Sequence, residues 1–405
     1  MRLVRKGVHR QPGTQRVAIV GAGPAGLYAA GWLASDGYQV DVLDMLPEPG
    51  GLLVAGIPDL RLDKAVVRQA VEQLKEAGVT FRTGTRVGRD VQLSDLVEQY
   101  DAVLIATGAW ESRRLEVEGE GLDGVFPALE YLVDYALAQH GHARPAREVQ
   151  GKVVLVVGGG LTAVDACYVA RQAGAAHVLW YYRRGREQAP AWQSERDAFE
   201  KLAAEVEFCP LTQPVRFLGS DGRLEAVEAV KMRLAGQDAS GRPEPVPVEG
   251  SEFRRAVDVA LVAAGEAPTP PPGAVECGIE VVRRSAAAAE DVVIASSVVV
   301  PGSGEVRAEA LQCVSVPVRH IVRPKEDAMP RAAIKVDARF RTTRKGVFAA
   351  GNVIDGPTQA GFAGVEGIMA GVAIGEYLVS GEWTSRPGEG SYGWRELLYG
   401  QGPRR

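Results

Sequence analysis

The chain has 405 residues, of which 46% are hydrophobic, and 46 Lys and Arg against 51 Asp and Glu give a formal net charge of −5. This is the composition of an ordinary globular protein, and its acidic balance gives no reason to expect a nucleic-acid partner. The length allows two or three domains. No apolar run approaches the roughly 20 residues of a membrane span, and no signal core follows the basic N-terminus, so we expect a cytoplasmic protein.

The four cysteines, at positions 167, 209, 277 and 313, are far apart and form no C-x-x-C pair. A redox-active dithiol needs such a pair, and an iron–sulfur cluster needs closely spaced thiolates. We therefore expect four inert thiols, no internal iron–sulfur relay and no metal site. His140 and His142 are close in sequence, and we interpret them as a solvated pair in a linker.

The first structural signal is the sequence RVAIVGAGPAG at 16–26. It predicts a buried strand, a tight glycine turn and a helix over 24–35 whose free N–H groups can bind a pyrophosphate. Residues 38–43 predict a second strand, and Asp44 at its end is placed to accept hydrogen bonds from a ribose diol. The candidate contacts of this first dinucleotide site are Gly21, Gly23, Pro24, Ala25, Gly26 and Asp44.

A second glycine motif, KVVLVVGGGLTA at 152–163, follows a helix over 63–77, an apolar strand over 101–108, a helix over 129–140 and a linker over 141–151. It predicts another strand and turn, a helix over 161–173 and a strand over 177–182. The arginines after that strand favour a 2′-phosphate and hence NADP(H), with NAD(H) or merely solvated arginines as alternatives. The candidate contacts of this second site are Gly158, Gly159, Gly160, Leu161, Thr162, Ala163, Arg183, Arg184 and Arg186.

The closing strands of the two units, DAVLIATG at 101–108 and DVALVAAG at 258–265, nearly match and indicate an internal duplication. Residues 206–260 fit an antiparallel meander with turns at 220–222 and 239–241. A Pro-rich hinge at 267–274 follows, then an unpatterned segment at 284–330. A small-residue helix over 359–378 and an aromatic tail complete the chain.

We therefore predict an α/β fold with two dinucleotide-binding domains, each Rossmann-like with ββα three-layer architecture. An acid after the first motif and arginines after the second suggest two different dinucleotides, the arrangement of a flavoenzyme that takes a hydride from a nicotinamide. The NAD(P) domain is expected to be inserted into the FAD domain. The predicted divisions are 1–145 for the first part of the FAD domain, 146–270 for the NAD(P) domain and 271–405 for the second part.

Several motifs together resemble the FAD- and NAD(P)-binding part of the glutamate synthase small subunit family. They are VAIVGAGPAGLYAA, PEPGGLLVAGIPDLRLDK at 47–64, ATG, VVGGGLTAVDA, YYRRGREQAPA and VFAAGN…EG. Ferredoxin–NADP reductase-like subunits of related electron-transfer complexes share this pattern. The resemblance covers roughly 15–270 and 331–380, and its specific part is GGLL…GIP, which generic two-domain flavoproteins lack.

The chain departs from that family at three points. Family members usually begin with a cysteine-rich iron–sulfur domain, which this sequence does not contain. Asn352 stands where the family has the Asp of AAGD, and Leu161 stands where it has the Asn of GGGNTAMD. The first departure removes an internal route for electrons, whereas the other two leave the expected fold unchanged.

The resemblance also implies roles for residues outside the two turns. The glycines and leucines at 50–53 would wrap the ribityl chain and the flavin, and the segment at 351–352 would face the ribityl-phosphate arm. The helix starting near residue 360 would direct its positive end at the flavin N1/O2 edge. No catalytic acid or base is expected, because the hydride passes between bound cofactors. The further candidate contacts are Gly50, Gly51, Leu52, Leu53, Arg61, Thr107, Gly108, Gly265, Gly351, Asn352, Gln359 and Ala360.

These expectations combine into an FAD-dependent NAD(P)H:acceptor oxidoreductase that exchanges electrons with an iron–sulfur protein or partner subunit. The 284–330 segment and the aromatic tail are the candidate docking surfaces, and self-association is left open. One alternative is a non-catalytic nucleotide-binding subunit that organises a larger redox complex. Another is a stand-alone NAD(P)H oxidase with oxygen as its acceptor.

Overall fold

Two five-stranded parallel sheets organise the chain, and a glycine motif follows a central strand of each. A computed structural model describes residues 14–142, 147–238, 241–284, 331–355 and 360–383. The strands are β1 (Arg16–Val20), β2 (Gln39–Leu43), β3 (Thr80–Arg82), β4 (Ala102–Ile105), β5 (Ala109–Ser112), β6 (Val125–Pro127), β7 (Val153–Val157), β8 (His177–Tyr182), β9 (Glu207–Pro210), β10 (Thr212–Ser220), β11 (Arg223–Gln237), β12 (Pro243–Pro247), β13 (Phe253–Ala256), β14 (Val259–Val262), β15 (Glu266–Pro268), β16 (Val281–Arg284), β17 (Arg331–Ile334) and β18 (Val347–Ala349). The helices are α1 (Pro24–Ser35), α2 (Leu52–Ala55), α3 (Lys64–Glu76), α4 (Leu93–Gln99), α5 (Ala128–Gln139), α6 (Leu161–Gln172), α7 (Pro190–Ser194), α8 (Arg196–Ala203), α9 (Asn352–Asp355) and α10 (Ala360–Ser380).

The two sheets have the same strand order. The first is β18–β4–β1–β2–β3 and the second is β6–β14–β7–β8–β9, with parallel pairing between all neighbours. Their central strands are runs of buried Val, Ile, Leu and Ala, as strands covered on both faces require. The predicted α/β duplication is confirmed, since the two strands with nearly matching sequences, β4 and β14, occupy equivalent positions.

Antiparallel strands complete the second unit and connect it to the first. Strands β10, β11 and β12 pair in order and β13 pairs with β11, which confirms the predicted meander over 212–256. Strand β9 also lies in the predicted range of 206–260, but it pairs in parallel with β8. The two chain crossings between the units run side by side, because β5 pairs with β15. This ribbon places the ends of β4 and β14, and therefore both glycine turns, next to the same pair of connecting strands.

The predicted boundary at residue 146 assigns β6 and α5 to the first unit, but the structure packs both with the second unit. β6 pairs with β14 in the second sheet, and Tyr131 and Leu132 of α5 belong to the second unit's buried core. The apolar pattern of α5 predicted a helix over 129–140, but it carries no information on which sheet the helix covers. The domain division stays a prediction, and the pairing favours a start of the second unit before β6.

Helix α10 packs its glycines against α1. A Cβ atom at Gly367 would lie 2.0 Å from the carbonyl oxygen of Ala25, and one at Gly364 would lie 2.8 Å from the Tyr28 ring. By length and composition α10 could cross a membrane, so the expectation that no apolar segment reaches that length was wrong. Half of its most apolar window is buried inside the structure, and core helices of globular proteins pass the same test.

Gly367→Val is expected to lower the free energy of unfolding by about 3 kcal/mol or more, because the added side chain forces α10 away from α1. The matched control is Gly361→Ala on the same helix, where a Cβ atom meets nothing within 4 Å. This control is expected to be neutral or to stabilise the helix by up to about 1 kcal/mol. Denaturant unfolding of the two variants tests the packing, and equal stabilities would contradict it.

Candidate functional site

Two of the three glycines in the first turn, Gly21 and Gly26, leave no room for a Cβ atom, whereas Gly23 has open space beside it. Gly21 has φ +111°, and a Cβ atom there would lie 2.3 Å from the carbonyl oxygen of Ala106. A Cβ atom at Gly26 would lie 1.9 Å from the carbonyl oxygen of Gly21. At Gly23, the N-cap of α1, it would meet nothing within 4 Å. The turn thus leaves free space directly in front of a helix N-terminus, where N–H groups have no intrahelical partner.

The second turn repeats this geometry. Gly158 has φ +147°, and a Cβ atom there would lie 2.4 Å from the carbonyl oxygen of Ala263, the residue equivalent to Ala106. Gly160 is the N-cap of α6 and again has nothing within 4 Å of a Cβ position. Ala163 takes the place of the third glycine and is fully buried. Both turns can therefore receive an anionic group, and each fits the pyrophosphate of a dinucleotide.

Asp44 lies against the first turn, as the sequence predicts. Its Oδ2 accepts a hydrogen bond of 2.5 Å from the backbone N–H of Ala22, inside the turn, and its Oδ1 accepts one of 2.7 Å from Leu46. Burial raises the pKa of Asp44, and these two backbone donors oppose the rise. The carboxylate therefore orders the turn and also ends β2 where a ribose diol is expected.

The loop at 50–53 packs directly on the first turn. Gly50 donates its N–H to the carbonyl oxygen of Ala22, and Gly51 has φ +56° with a Cβ position 2.8 Å from the Cα of Gly23. Lys64, which we did not predict, holds this loop: its Nζ donates to the carbonyl oxygens of Leu53 and Ile57 at 2.9 and 2.5 Å. The ammonium is almost fully buried, and burial lowers the pKa of Lys64. Only the motif PEPGGLLVAGIPDLRLDK marks this segment in the sequence.

Residues from distant parts of the chain complete the same edge of the first sheet. Thr107 donates its Oγ1 hydrogen to the carbonyl oxygen of Thr269 at 2.7 Å, and Gly108 follows with φ +77°. Gly351 approaches the first turn of α1, since its Cβ position lies 2.9 Å from the Cβ of Ala25. Its N–H donates to the buried carboxylate of Glu366 on α10, a residue that the sequence analysis missed.

Most of the predicted FAD contacts thus lie together. Asn352 begins α9 and Ala360 begins α10, whereas Gln359 lies outside the described residues, as do Cys313 and nearly all of the predicted docking segments. The residues that the structure brings to the first turn are Gly21, Gly23, Pro24, Ala25, Gly26, Asp44, Gly50, Gly51, Leu52, Leu53, Thr107, Gly108 and Gly351.

The arginines after β8 differ in orientation. Arg184 is turned inward: its side chain is only 5% exposed, and it donates to Asp238 at 2.6 Å and to the carbonyl oxygen of Pro243 at 2.9 Å. Arg186 is exposed and pairs with Glu200 at 2.8 Å. Arg183, which precedes both in sequence, is half-buried. Of the three predicted 2′-phosphate contacts, Arg184 is therefore committed to a protein carboxylate.

Arg61 joins the two units instead of lying within one. Its Nη1 donates to Asp165 of α6 at 2.5 Å, and its Nη2 pairs with Glu195 at the end of α7. Burial, together with the nearby Glu195 carboxylate, raises the pKa of Asp165 to about 6, against the opposing effect of Arg61. We call Arg61, Asp165 and Glu195 the inter-unit cluster. Through this cluster, the segment that follows α2 in sequence contacts α6, the helix that begins at the second glycine turn.

The crossing ribbon reaches the second turn through Glu266. Thr162, in the first turn of α6, donates to Glu266 Oε1 at 3.3 Å, and the Arg113 N–H donates to the carbonyl oxygen of Gly265 at 2.9 Å. Burial raises the pKa of Glu266, while Thr162 and Arg113 oppose the rise. Gly265 and Glu266 therefore lie between the two units and beside the N-terminus of α6, where the return crossing is expected to bring a nicotinamide.

His140 is not solvated, which corrects our expectation. Its ring is 8% exposed, and its Nδ1 accepts a hydrogen bond of 3.0 Å from Arg68. Within the part of the chain that the structure describes, no group of three or more His, Cys, Asp or Glu side chains could hold a metal ion. The described cysteines, Cys167, Cys209 and Cys277, are all free thiols.

Comparison with known proteins identifies the family. The pyridine nucleotide-disulphide oxidoreductase family matches residues 15–284. The subunit beta of an NADP(+)-dependent formate dehydrogenase from Moorella thermoacetica is 40% identical over 70% of this chain and 39% of its own length. The glutamate synthase [NADPH] small chain of Halomonas elongata is 33% identical over 90% of this chain and 68% of its own length. The chain thus spans from about two fifths to two thirds of these relatives.

Solved structures show the same fold at low sequence identity. Mycobacterium tuberculosis FprA in complex with NADPH has a TM-score of 0.64 at 20% identity, covering 93% of this chain and 88% of that one. Thioredoxin reductase from T. acidophilum has a TM-score of 0.57 at 18% identity, covering 90% of this chain and 98% of that one. The chain belongs to the pyridine nucleotide-disulphide oxidoreductase family and resembles glutamate synthase small chains.

Proposed function

We propose that this chain passes electrons between NADP(H) and a partner protein through FAD. The observation that carries the proposal is the pair of equivalent glycine turns, each opening in front of a helix N-terminus and joined by the β5–β15 ribbon. FAD, when bound, accepts a hydride from a reduced nicotinamide and can release the two electrons singly. The first turn would hold FAD and the second the nicotinamide dinucleotide.

The residues of the chain would bind and orient rather than act as acid or base. The α1 and α6 amides would donate to the two pyrophosphates, and Asp44 would face the adenosine ribose of FAD. Lys64 keeps the 50–53 loop on the first turn, which fixes the backbone that would wrap the flavin. The geometry of hydride transfer would then depend on how the two turns place the cofactors.

Transfer to a partner is supported by the cysteine pattern, since this sequence holds no C-x-x-C pair or cysteine cluster that could carry electrons onward. Several relatives are named as small chains or beta subunits, among them the beta subunit of an NADPH-Fe(3+) oxidoreductase from Geobacter sulfurreducens. We propose an iron–sulfur protein or subunit as the electron partner. The candidate docking segments, 284–330 and the aromatic tail, lie almost wholly outside the described residues.

Anaerobic reduction tests this function. We expect the purified protein to be yellow and NADPH to bleach it within seconds, with slower bleaching by NADH, and added dye acceptors should restore the colour. Protein that contains FAD but is bleached by neither nicotinamide would overturn the proposal in favour of a non-catalytic subunit. Rapid and stoichiometric peroxide formation in air would instead indicate an oxidase.

A further inference from the structure

The hairpin formed by β11 and β12 is anchored to the loop that follows β8. Its described ends are closed by a hydrogen bond of 2.8 Å from the Asp238 N–H to the carbonyl oxygen of Arg242. Arg184 donates hydrogen bonds to both strands' ends at the turn, to the Asp238 carboxylate after β11 and to the carbonyl oxygen of Pro243 at the start of β12. Because the Arg184 side chain is nearly fully buried, this anchor fixes the hairpin relative to the second dinucleotide unit.

The anchor brings a further guanidinium group to the end of β8. Arg242 Nη2 donates to the carbonyl oxygen of Gln188 at 2.9 Å and lies 3.4 Å from the Tyr182 hydroxyl. Tyr182, the last residue of β8, donates to the same carbonyl oxygen, and its ring lies 2.4 Å from a Cβ position at Gly159 in the glycine turn. Arg242 is thus placed beside the second turn although it is distant in sequence.

The local charges favour an anion here. Burial lowers the pKa of Arg184, and the nearby positive charges of Arg242 and Arg183 lower it further, whereas Asp238 opposes them. Like charges at this range repel each other, and an anion among them relieves the repulsion. A guanidinium has five N–H donors, and both contacts of Arg242 described above use a single nitrogen.

We propose that Arg242 binds the 2′-phosphate of the nicotinamide dinucleotide and so helps to select NADP(H) over NAD(H). The inference rests on the proposed function, since it places that dinucleotide at the second turn. The region after β8 is where the ribose 2′ substituent is expected in such folds. Arg184 acts differently from the sequence prediction: it positions the hairpin, and Arg242 supplies the phosphate contact in its place.

Calorimetric binding of adenosine 2′,5′-bisphosphate and AMP to the FAD-containing protein tests this assignment without turnover. Wild type should prefer the bisphosphate, and Arg242→Gln should bind it about ten- to hundredfold more weakly while its AMP affinity is unchanged. The matched control is Arg233→Gln, an exposed arginine on β11 of the same hairpin, which should behave as wild type. FAD content and the thermal unfolding midpoint report on folding.

A charge-conserving variant makes the test independent of hairpin damage. Arg242→Lys should bind the bisphosphate about tenfold more tightly than Arg242→Gln, because the positive charge remains; equal affinities would contradict the proposal. An Arg242→Gln protein that keeps the wild-type preference, or that loses AMP binding equally, would also overturn it. Wild type that does not prefer the bisphosphate would overturn the NADP(H) assignment itself, so the two failures are distinguishable.

Discussion

Replacing Gly23 by alanine is expected to give a folded protein that has largely lost FAD. Gly23 has φ −74° and ψ −174°, a conformation open to any residue, and its Cβ position meets no protein atom within 4 Å. The methyl group therefore costs the fold little, but it occupies the space in front of α1 that a pyrophosphate needs. The clash between this methyl group and the pyrophosphate should cost about 1–3 kcal/mol of binding free energy, which weakens FAD binding roughly ten- to hundredfold. Fluorimetric titration of the apoprotein with FAD measures this loss.

Two other glycines provide the controls. Gly26→Ala places its Cβ 1.9 Å from the carbonyl oxygen of Gly21, so this variant should lower the stability of the apoprotein as well as FAD binding. Gly160→Ala should retain FAD and lose affinity for the nicotinamide dinucleotide, because Gly160 is the equivalent open position at α6. If Gly23→Ala binds FAD like wild type, the open space is not the pyrophosphate site. If Gly23→Ala destabilises the apoprotein as much as Gly26→Ala does, the space beside Gly23 is not open.

The sequence predicted those features that depend on local pattern. The helix expected over 24–35 is α1 with the same ends, because Pro24 sets its first turn and the glycine turn precedes it. The near-identity of the two closing strands predicted the duplicated sheet, since equivalent buried strands need similar apolar runs. Gly21 and Gly158 could be placed as turn glycines because only a residue without Cβ fits against the neighbouring carbonyl.

The parts that could not be predicted depend on pairing across long stretches of sequence. Arg184 is buried because Asp238, 54 positions away, comes to it on the β11–β12 hairpin. Arg61 pairs across the units with Asp165, a residue that resembles any other polar position on a helix. Strand β6 is three residues long, and its short pattern does not specify a sheet. Propensity and motif therefore located the glycine turns, while charge partners and sheet membership required the tertiary structure.

The second large effect is expected from Arg61→Ala, which removes the only guanidinium described between Asp165 and Glu195 in the inter-unit cluster. The Asp165 side chain is 7% exposed, so it becomes a buried carboxylate without its principal partner. Breaking such a pair costs about 3–5 kcal/mol, and partial exposure of Glu195 reduces this to about 2–4 kcal/mol of unfolding free energy. Denaturant unfolding measures it. Arg171→Ala, which breaks an exposed pair with Glu205, should cost less than about 1 kcal/mol.

The pH dependence of that loss identifies Asp165 as its source. Because the pKa of Asp165 is about 6 in the folded protein against an ordinary 3.8, the folded state binds its proton more tightly than the unfolded chain. This contribution to stability is present at low pH and is lost as pH rises from about 4 through about 6. Asp165→Asn should lack that decline. The pKa values of Asp44 and Glu266 are also raised, but their contributions to the pH dependence are the same in both proteins and cancel in the comparison with wild type.

The stability that Arg61→Ala loses should itself depend on pH, because Arg61 and Asp165 interact electrostatically. Arg61 lowers the pKa of Asp165, so its removal raises that pKa further and extends the decline in stability to higher pH. The cost of Arg61→Ala should therefore be small below about pH 5, where Asp165 is protonated, and largest near neutrality. A cost that is independent of pH would mean that Arg61 stabilises the boundary by packing alone. In the double variant with Asp165→Asn, the pH-dependent part of the cost should disappear, since no buried charge then remains to be compensated.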